Sequence, residues 1–175
     1  VDLKYGDKLL NQISVTNGDG PFKSQDENGK FLYSNNLEIY PVKGLILKLY
    51  ADYSPKSDTA KLAKDKYAFS AFAGFKTDKF RVAVEYNKVV NYGYRENSDY
   101  YGISTFGSYT INPKFDVLVR YDYINRSFPL NLEKAHLIIA GLQYQPMKNL
   151  LCSVNLRNLS PADRLMVYGS FGITF

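Results

Sequence analysis

Arg164-Leu165-Met166-Val167-Tyr168-Gly169-Ser170-Phe171-Gly172-Ile173-Thr174-Phe175 decides the fold. Leu165, Val167, Gly169, Phe171, Ile173 and Phe175 fall on one face of an extended chain, and Arg164, Tyr168, Ser170, Gly172 and Thr174 on the other. Successive side chains of a strand project to opposite faces, so this alternation predicts a strand with one apolar and one polar side. A tilted strand crosses a bilayer in about 9–11 residues, which this segment supplies.

Upstream, the same period recurs. Leu45, Leu47, Leu49, Ala51 and Tyr53 oppose Ile46, Lys48, Tyr50 and Asp52, and Phe80, Val82, Val84 and Tyr86 oppose Arg81, Ala83, Glu85 and Asn87. Segments 66–75, 101–109, 115–123 and 150–157 repeat the pattern. Segment 31–42 carries Asn35 on its apolar face, and 135–144 is apolar on both. With a first strand over 9–16, about ten strands are expected in one domain spanning 1–175.

Composition agrees with interleaving. The chain has 16 Tyr, 11 Phe and no Trp, and is 45% hydrophobic, yet its mean hydropathy is −0.30. Its longest apolar run, residues 137–142, is far below the roughly 18 residues of a membrane-spanning helix. A net charge of +5 would suit an anionic partner, but the charges are scattered singly along strands, so no nucleic-acid partner is expected. One cysteine and one histidine cannot build a zinc site, and no metal or other cofactor is expected.

Connections alternate in length. Short turns are expected at 42–44, 76–79, 112–114 and 146–149, with longer polar links at 17–30, 54–65, 91–98 and 126–132 and a shorter one at 160–163. Short turns on one rim and long links on the other is the arrangement of bacterial outer-membrane barrels, the short side being periplasmic. Both termini then fall on the periplasmic side. Aromatic residues supply a further test, because they gather where a barrel wall crosses the membrane interfaces. Phe75, Phe80, Tyr109, Phe115, Tyr144 and Phe175 flank the short side, and Tyr53, Tyr67, Tyr101, Tyr121 and Tyr123 flank the long one. A soluble sandwich or lipocalin-like barrel also alternates apolar and polar residues, but gives no reason for two girdles.

At this point the residues resemble those of bacterial outer-membrane porins, in particular the C-terminal portion of phosphate-selective porin O and P barrels. The resemblance is carried by Ile13-Ser14-Val15-Thr16-Asn17-Gly18, by Tyr40-Pro41-Val42-Lys43-Gly44-Leu45, and by Asn112-Pro113-Lys114-Phe115-Asp116 leading into Val119-Arg120-Tyr121-Asp122-Tyr123. Ala140-Gly141-Leu142-Gln143-Tyr144-Gln145-Pro146-Met147-Lys148-Asn149-Leu150 and the terminal Phe175 complete it. It implies a transmembrane antiparallel up-and-down β-barrel in the outer membrane, either small and complete or the C-terminal part of a porin of about 16 strands. It also implies that Phe171, Ile173 and Phe175 form the signal read by the barrel assembly machinery. Outer-membrane lipid and lipopolysaccharide around the wall and a homotrimeric assembly belong to the same expectation. The basic ladder of the phosphate-selective members has no matching Arg/Lys-rich segment here.

With the apolar face toward lipid, the pore-lining residues are expected to include Lys48, Lys66, Arg81, Glu85, Asp116, Arg120, Asp122, Arg157 and Arg164. Adding Arg126, Glu38 and Asp52 gives seven cations against five carboxylates, a mild bias toward anions. The expected function is a passive diffusion pore for small hydrophilic or anionic solutes. Its rival is a small barrel with a side-chain-filled interior and a structural, adhesive or anchoring role. A hydrolase would need His136 beside a nucleophilic Ser, which the alternation does not supply, so no catalytic residue is expected. Asn17-Gly18-Asp19-Gly20 and Asp26-Glu27-Asn28-Gly29 carry oxygen ligands without the spacing of a calcium loop, and read as exposed turns or as a loop folded into the lumen.

Overall fold

The structure is a computed structural model that describes residues 1–17, 31–56, 62–128 and 131–173. Eleven strands follow one another: β1 (Asp2–Tyr5), β2 (Leu9–Asn17), β3 (Phe31–Ile39), β4 (Leu45–Ser54), β5 (Lys66–Lys76), β6 (Phe80–Val90), β7 (Asp99–Asn112), β8 (Phe115–Phe128), β9 (Asn131–Met147), β10 (Leu150–Ser160) and β11 (Arg164–Ile173). They form one all-β sheet in which each strand pairs antiparallel with its sequence neighbours, the up-and-down order that the resemblance implies. Among the described residues β1 and β11 pair on one side only. The only helical element among them is a 3-10 turn, Tyr92–Tyr94, and none is long or apolar enough to cross a membrane.

Local chemistry fixes the tight turns. Gly44 adopts φ +86°, and a Cβ there would meet the Lys76 carbonyl oxygen at 2.3 Å, so only glycine fits. Thr77 Oγ1 accepts from the amides of Lys79 at 3.3 Å and Phe80 at 3.0 Å. Asn112 Oδ1 accepts from the Lys114 amide at 2.9 Å. The rim made by 6–8, 40–44, 77–79, 113–114 and 148–149 therefore carries short connections throughout.

Two departures from the expected layout have physical causes. β1 adds a strand, because its ladder to β2 runs from Asp2 opposite Gln12 to Tyr5 opposite Leu9. The link expected over 126–132 narrows to 129–130, because Asn125 pairs with Lys134 and Arg126 with Glu133, so the ladder continues through polar sequence. Of the other long links, 18–30 and 57–61 lie outside the described residues.

The wall is inverted relative to a water-soluble fold. Val84, Val119 and Val154 are 45%, 54% and 57% exposed, while Val89 is the one buried hydrophobic side chain among the described residues. Exposed apolar side chains recur on this face from Ile13 on β2 to Ile173 on β11, whereas soluble monomers scatter theirs singly. Lipid accepts such a face along β2 to β10, where each strand pairs on both sides and the backbone groups are satisfied within the sheet. Rings crowd its two borders. Phe75–Phe80 and Phe115–Tyr144 lie 5.9 and 4.6 Å apart at the short-turn rim. Tyr53–Tyr67 and Tyr101–Tyr123 lie 5.2 and 6.0 Å apart at the other. This is a transmembrane sheet with a lipid side.

Candidate functional site: the polar face of the wall

Directly paired residues share a face, so the ladders state which side chains meet. Glu38 pairs with Lys48, Lys48 with Phe72, Phe72 with Glu85, Glu85 with Ser104 and Ser104 with Asp122. The row then passes through Leu137 and Leu159 to Arg164. A parallel row joins Ala83, Phe106, Arg120, Ile139 and Arg157. Lys66 pairs with Ser54, Arg81 with Ser108, and Asp116 with Gln143, each in phase with these rows. All nine residues expected to line a pore therefore stand on one face.

The register adds Asp2, Lys4, Lys76 and Glu133 to that face. Nine cations against seven carboxylates keep the excess at two. Many are paired. Lys48 Nζ lies 2.7 Å from Glu38 Oε1, and Arg120 Nε donates to both Asp122 oxygens at 2.9 Å. Ser104 donates to the same carboxylate. Asn87 donates to Glu85 at 2.7 Å, and the Arg157 guanidinium sits 4.2 Å from the Tyr168 ring centroid. Just outside β3, the Tyr40 hydroxyl donates to Glu38, which holds its pKa above the usual tyrosine range. The Arg81 side chain is exposed and has no hydrogen-bond or ion-pair partner among the described residues.

Side chains on this face are the more enclosed ones: along β6, Ala83, Glu85 and Asn87 are half-buried, whereas Val82, Val84 and Tyr86 are exposed. Convergence of that kind marks the concave side of a curved sheet. Three recesses of about 390, 410 and 390 Å³ lie along it. The first shares Ser104 and Arg120 with the second and Phe72 and Glu85 with the third, so they form one trough running from Lys76 and Arg81 toward Tyr50 and Tyr100.

The 91–98 link is tied to the long-link ends of β4 and β5 on the polar face. Lys64 N donates to the Tyr94 carbonyl at 3.0 Å, Asn91 Nδ2 to the Asp65 carbonyl at 2.8 Å, and Lys64 pairs with Glu96 at 3.2 Å. Lys66 Nζ lies 5.7 Å from the Tyr94 ring centroid. Tyr94 was not legible as a site residue in the sequence, nor were Phe72 and Phe106, which the alternation puts on the polar face but no motif marks as part of a site. Lys76 was hidden by its place beside a turn.

On the lipid face, His136 Nδ1 is 2.7 Å from the Tyr121 hydroxyl, and its ring lies 4.9 Å from that of Tyr123. Its ladder neighbour is Ser160, with no hydrogen bond between them. Phe171 and Ile173 are exposed on the same side of β11, and Phe175 lies outside the described residues. Cys152 is a free, half-buried thiol beside Tyr144 and Phe171. Among the described residues no three His, Cys, Asp or Glu side chains group as a metal site.

No protein-family model matches the chain, and no curated protein does. Among solved structures the chain is similar to two mutant forms of Rh. blastica porin. One is 15% identical with a TM-score of 0.39 and the other 14% identical with a TM-score of 0.41. Each match covers 82% of this chain and 55% of the porin chain, so the chain spans about half the length of the solved chains it matches.

Proposed function

We propose that this wall belongs to a passive outer-membrane pore for small hydrophilic solutes with a mild preference for anions, and that it works without catalysis. The single observation that carries the reading is the division of the sheet: one face mostly apolar and exposed, the other holding nine cations and seven carboxylates among the described residues, with Lys48, Lys76, Arg81, Glu85, Arg120 and Asp122 lining its trough. Ionised groups at that density are tolerated within a membrane only where water reaches them or partners neutralise them. An exposed, unpaired Arg81 favours water. Diffusion needs no reacting group, only a hydrated path whose fixed charge biases the ions passing it.

The same reading places lipid and lipopolysaccharide against the apolar face, makes the barrel assembly machinery the insertion partner through Phe171, Ile173 and Phe175, allows a homotrimer, and sets both termini in the periplasm. Leu137, Ile139 and Leu159 on the concave face favour the rival, a filled interior with a structural, adhesive or anchoring role. Reconstitution into planar bilayers separates the two. Stepwise insertion currents are expected of the pore, and a protein that inserts and stays electrically silent at every salt concentration is the filled barrel.

A further inference from the structure

The short-turn end of the trough is lined by apolar side chains where a merely wet wall would have polar ones. Ile46, Phe72, Ala83 and Phe106 converge on the recess of about 390 Å³, within the size range of small-molecule sites. Their clustering is built into the backbone. Ile46, Gly74, Ala83 and Phe106 are successive ladder partners on β4 to β7. A Cβ on Gly74 would meet Phe72 Cε1 and Cζ at 2.8 Å and Ile46 Cγ2 at 3.4 Å. The Phe72 ring thus lies against the bare backbone of Gly74, and the two small residues Gly74 and Ala83 leave room in front of it.

The charge around this apolar floor is predominantly positive. Lys76, Arg81 and Arg120 line the recess against a single carboxylate, Glu85, which is already engaged by Asn87 at 2.7 Å. Arg120 is the ladder partner of Phe106, about 4.8 Å away across the strands. It uses Nε for Asp122, and its two terminal nitrogens have no hydrogen bond among the described residues. Arg81 has no partner among the described residues. A carboxylate matches the planar fork of a guanidinium, and an apolar body matches the rings beside it.

We propose that this recess is a subsite for small amphipathic carboxylates, an aromatic or branched apolar group resting on Phe72 and Phe106 with its carboxylate on Arg81 and Arg120. The proposal deepens the pore reading and rests on it for its role in transport. A hydrated inorganic anion gains nothing from the apolar floor, and a neutral or cationic ring gains nothing from the arginines. Only a solute with both parts uses the whole site, which would turn a mildly anion-biased trough into one that retains such solutes in passage.

Phenylacetate, acetate and benzylamine are the probes. With the reconstituted full chain in 0.1 M chloride, phenylacetate is expected to reduce the current at a concentration at least tenfold below acetate, and benzylamine to have no comparable effect. Phe106→Ala should erase the difference between phenylacetate and acetate. Arg81→Gln, at an exposed side chain with no partner, should weaken phenylacetate at least severalfold without disturbing the fold. Saturation-transfer NMR on the refolded protein in detergent reads binding without current. Contact of the phenyl protons with wild-type protein, reduced in Arg81→Gln, supports the site even where no current flows, an outcome that removes the pore reading alone. Equal action of phenylacetate and acetate, equal action of benzylamine, or an Arg81→Gln variant indistinguishable from wild type in both measurements overturns the proposal.

Discussion

The Tyr94 hydroxyl lies 2.6 Å from Ser54 Oγ, forty residues away in sequence, and this contact ties the 91–98 link to β4 across the polar face. Ser54 is 3% exposed, so the bond is shielded from competing water. The link holds its shape against backbone preference: Asn91, Tyr94 and Asn97 have φ of 56°, 60° and 59°. A non-glycine residue costs about 1–2 kcal/mol in that region. Tyr94 is kept there by Ser54, by its carbonyl's bond to Lys64 and by the Lys66 ammonium near its ring.

Tyr94→Phe removes the hydroxyl and leaves Ser54 buried without its partner. A loss of about 1–2 kcal/mol is expected, the cost of an unsatisfied buried hydroxyl. The same variant should show larger open-channel current fluctuations in bilayer recordings, since the link is anchored on the polar face through Ser54 and Lys66. Ser54→Ala should reproduce both effects to a smaller degree. A quiet channel in both variants would mean the link does not reach the ion path.

Gly44 provides a test of the short-turn rim. Gly44→Ala brings a methyl group to within 2.3 Å of the Lys76 carbonyl oxygen at a backbone φ of +86°. The turn must open or the β4–β5 ladder must shift, at a cost of at least about 1–3 kcal/mol. A lower urea midpoint of the folded protein measures it. Gly6→Ala, with φ +60° and no atom within 4 Å, carries the backbone strain alone and should cost less.

The two faces predict opposite responses to charge. Arg placed at Val84, Val119 or Val154, all exposed on the apolar side, should destabilise the protein in lipid by about 2–4 kcal/mol. At Ser153, whose hydroxyl lies 2.7 Å from that of Ser170 on the polar side, the same residue loses one hydrogen bond and should cost about 1 kcal/mol. Equilibrium unfolding from lipid vesicles compares them, and equal costs would deny the sheet a lipid side.

Period two was readable because it survives any register, and that is why the strands β2 to β11 and the face of every predicted lining residue could be taken from sequence. Four residues of β1 are too few to establish an alternation. The extension of β8 and β9 past Arg126 is short and mixes Ser127, Phe128, Asn131, Leu132 and Glu133 without a sustained alternation, so no periodicity marked it, and the pairing of Arg126 with Glu133 and Ser127 with Leu132 reveals it. What sequence cannot supply is the height at which neighbouring strands lie side by side. The meeting of Phe72, Phe106 and Arg120, and the reach of Tyr94 to Ser54, depend on offsets between strands that turn lengths set jointly.

Charge inversion examines the trough as a whole. Arg81, Arg120 and Arg157 stand on alternate strands β6, β8 and β10, so replacing all three by Glu changes the face by six charge units. Under a salt gradient the unmodified protein should give a reversal potential of modest anion preference, and the triple variant should reverse its sign. The three positions differ in stability cost. Arg81 has no partner to lose, whereas Arg120→Glu sets a second carboxylate beside Asp122, and Arg157→Glu removes the cation over Tyr168. Arg81→Glu alone should therefore shift selectivity with the least effect on folding, and Arg120→Glu should do so only with a measurable loss of stability, partly restored by Asp122→Asn. Salt sets the visibility of the effect, since the Debye length falls from about 10 Å at 0.1 M to about 3 Å at 1 M. A cation preference in the unmodified protein, or a triple variant with unchanged reversal potential at 0.1 M, would mean that the ions pass elsewhere than along this face.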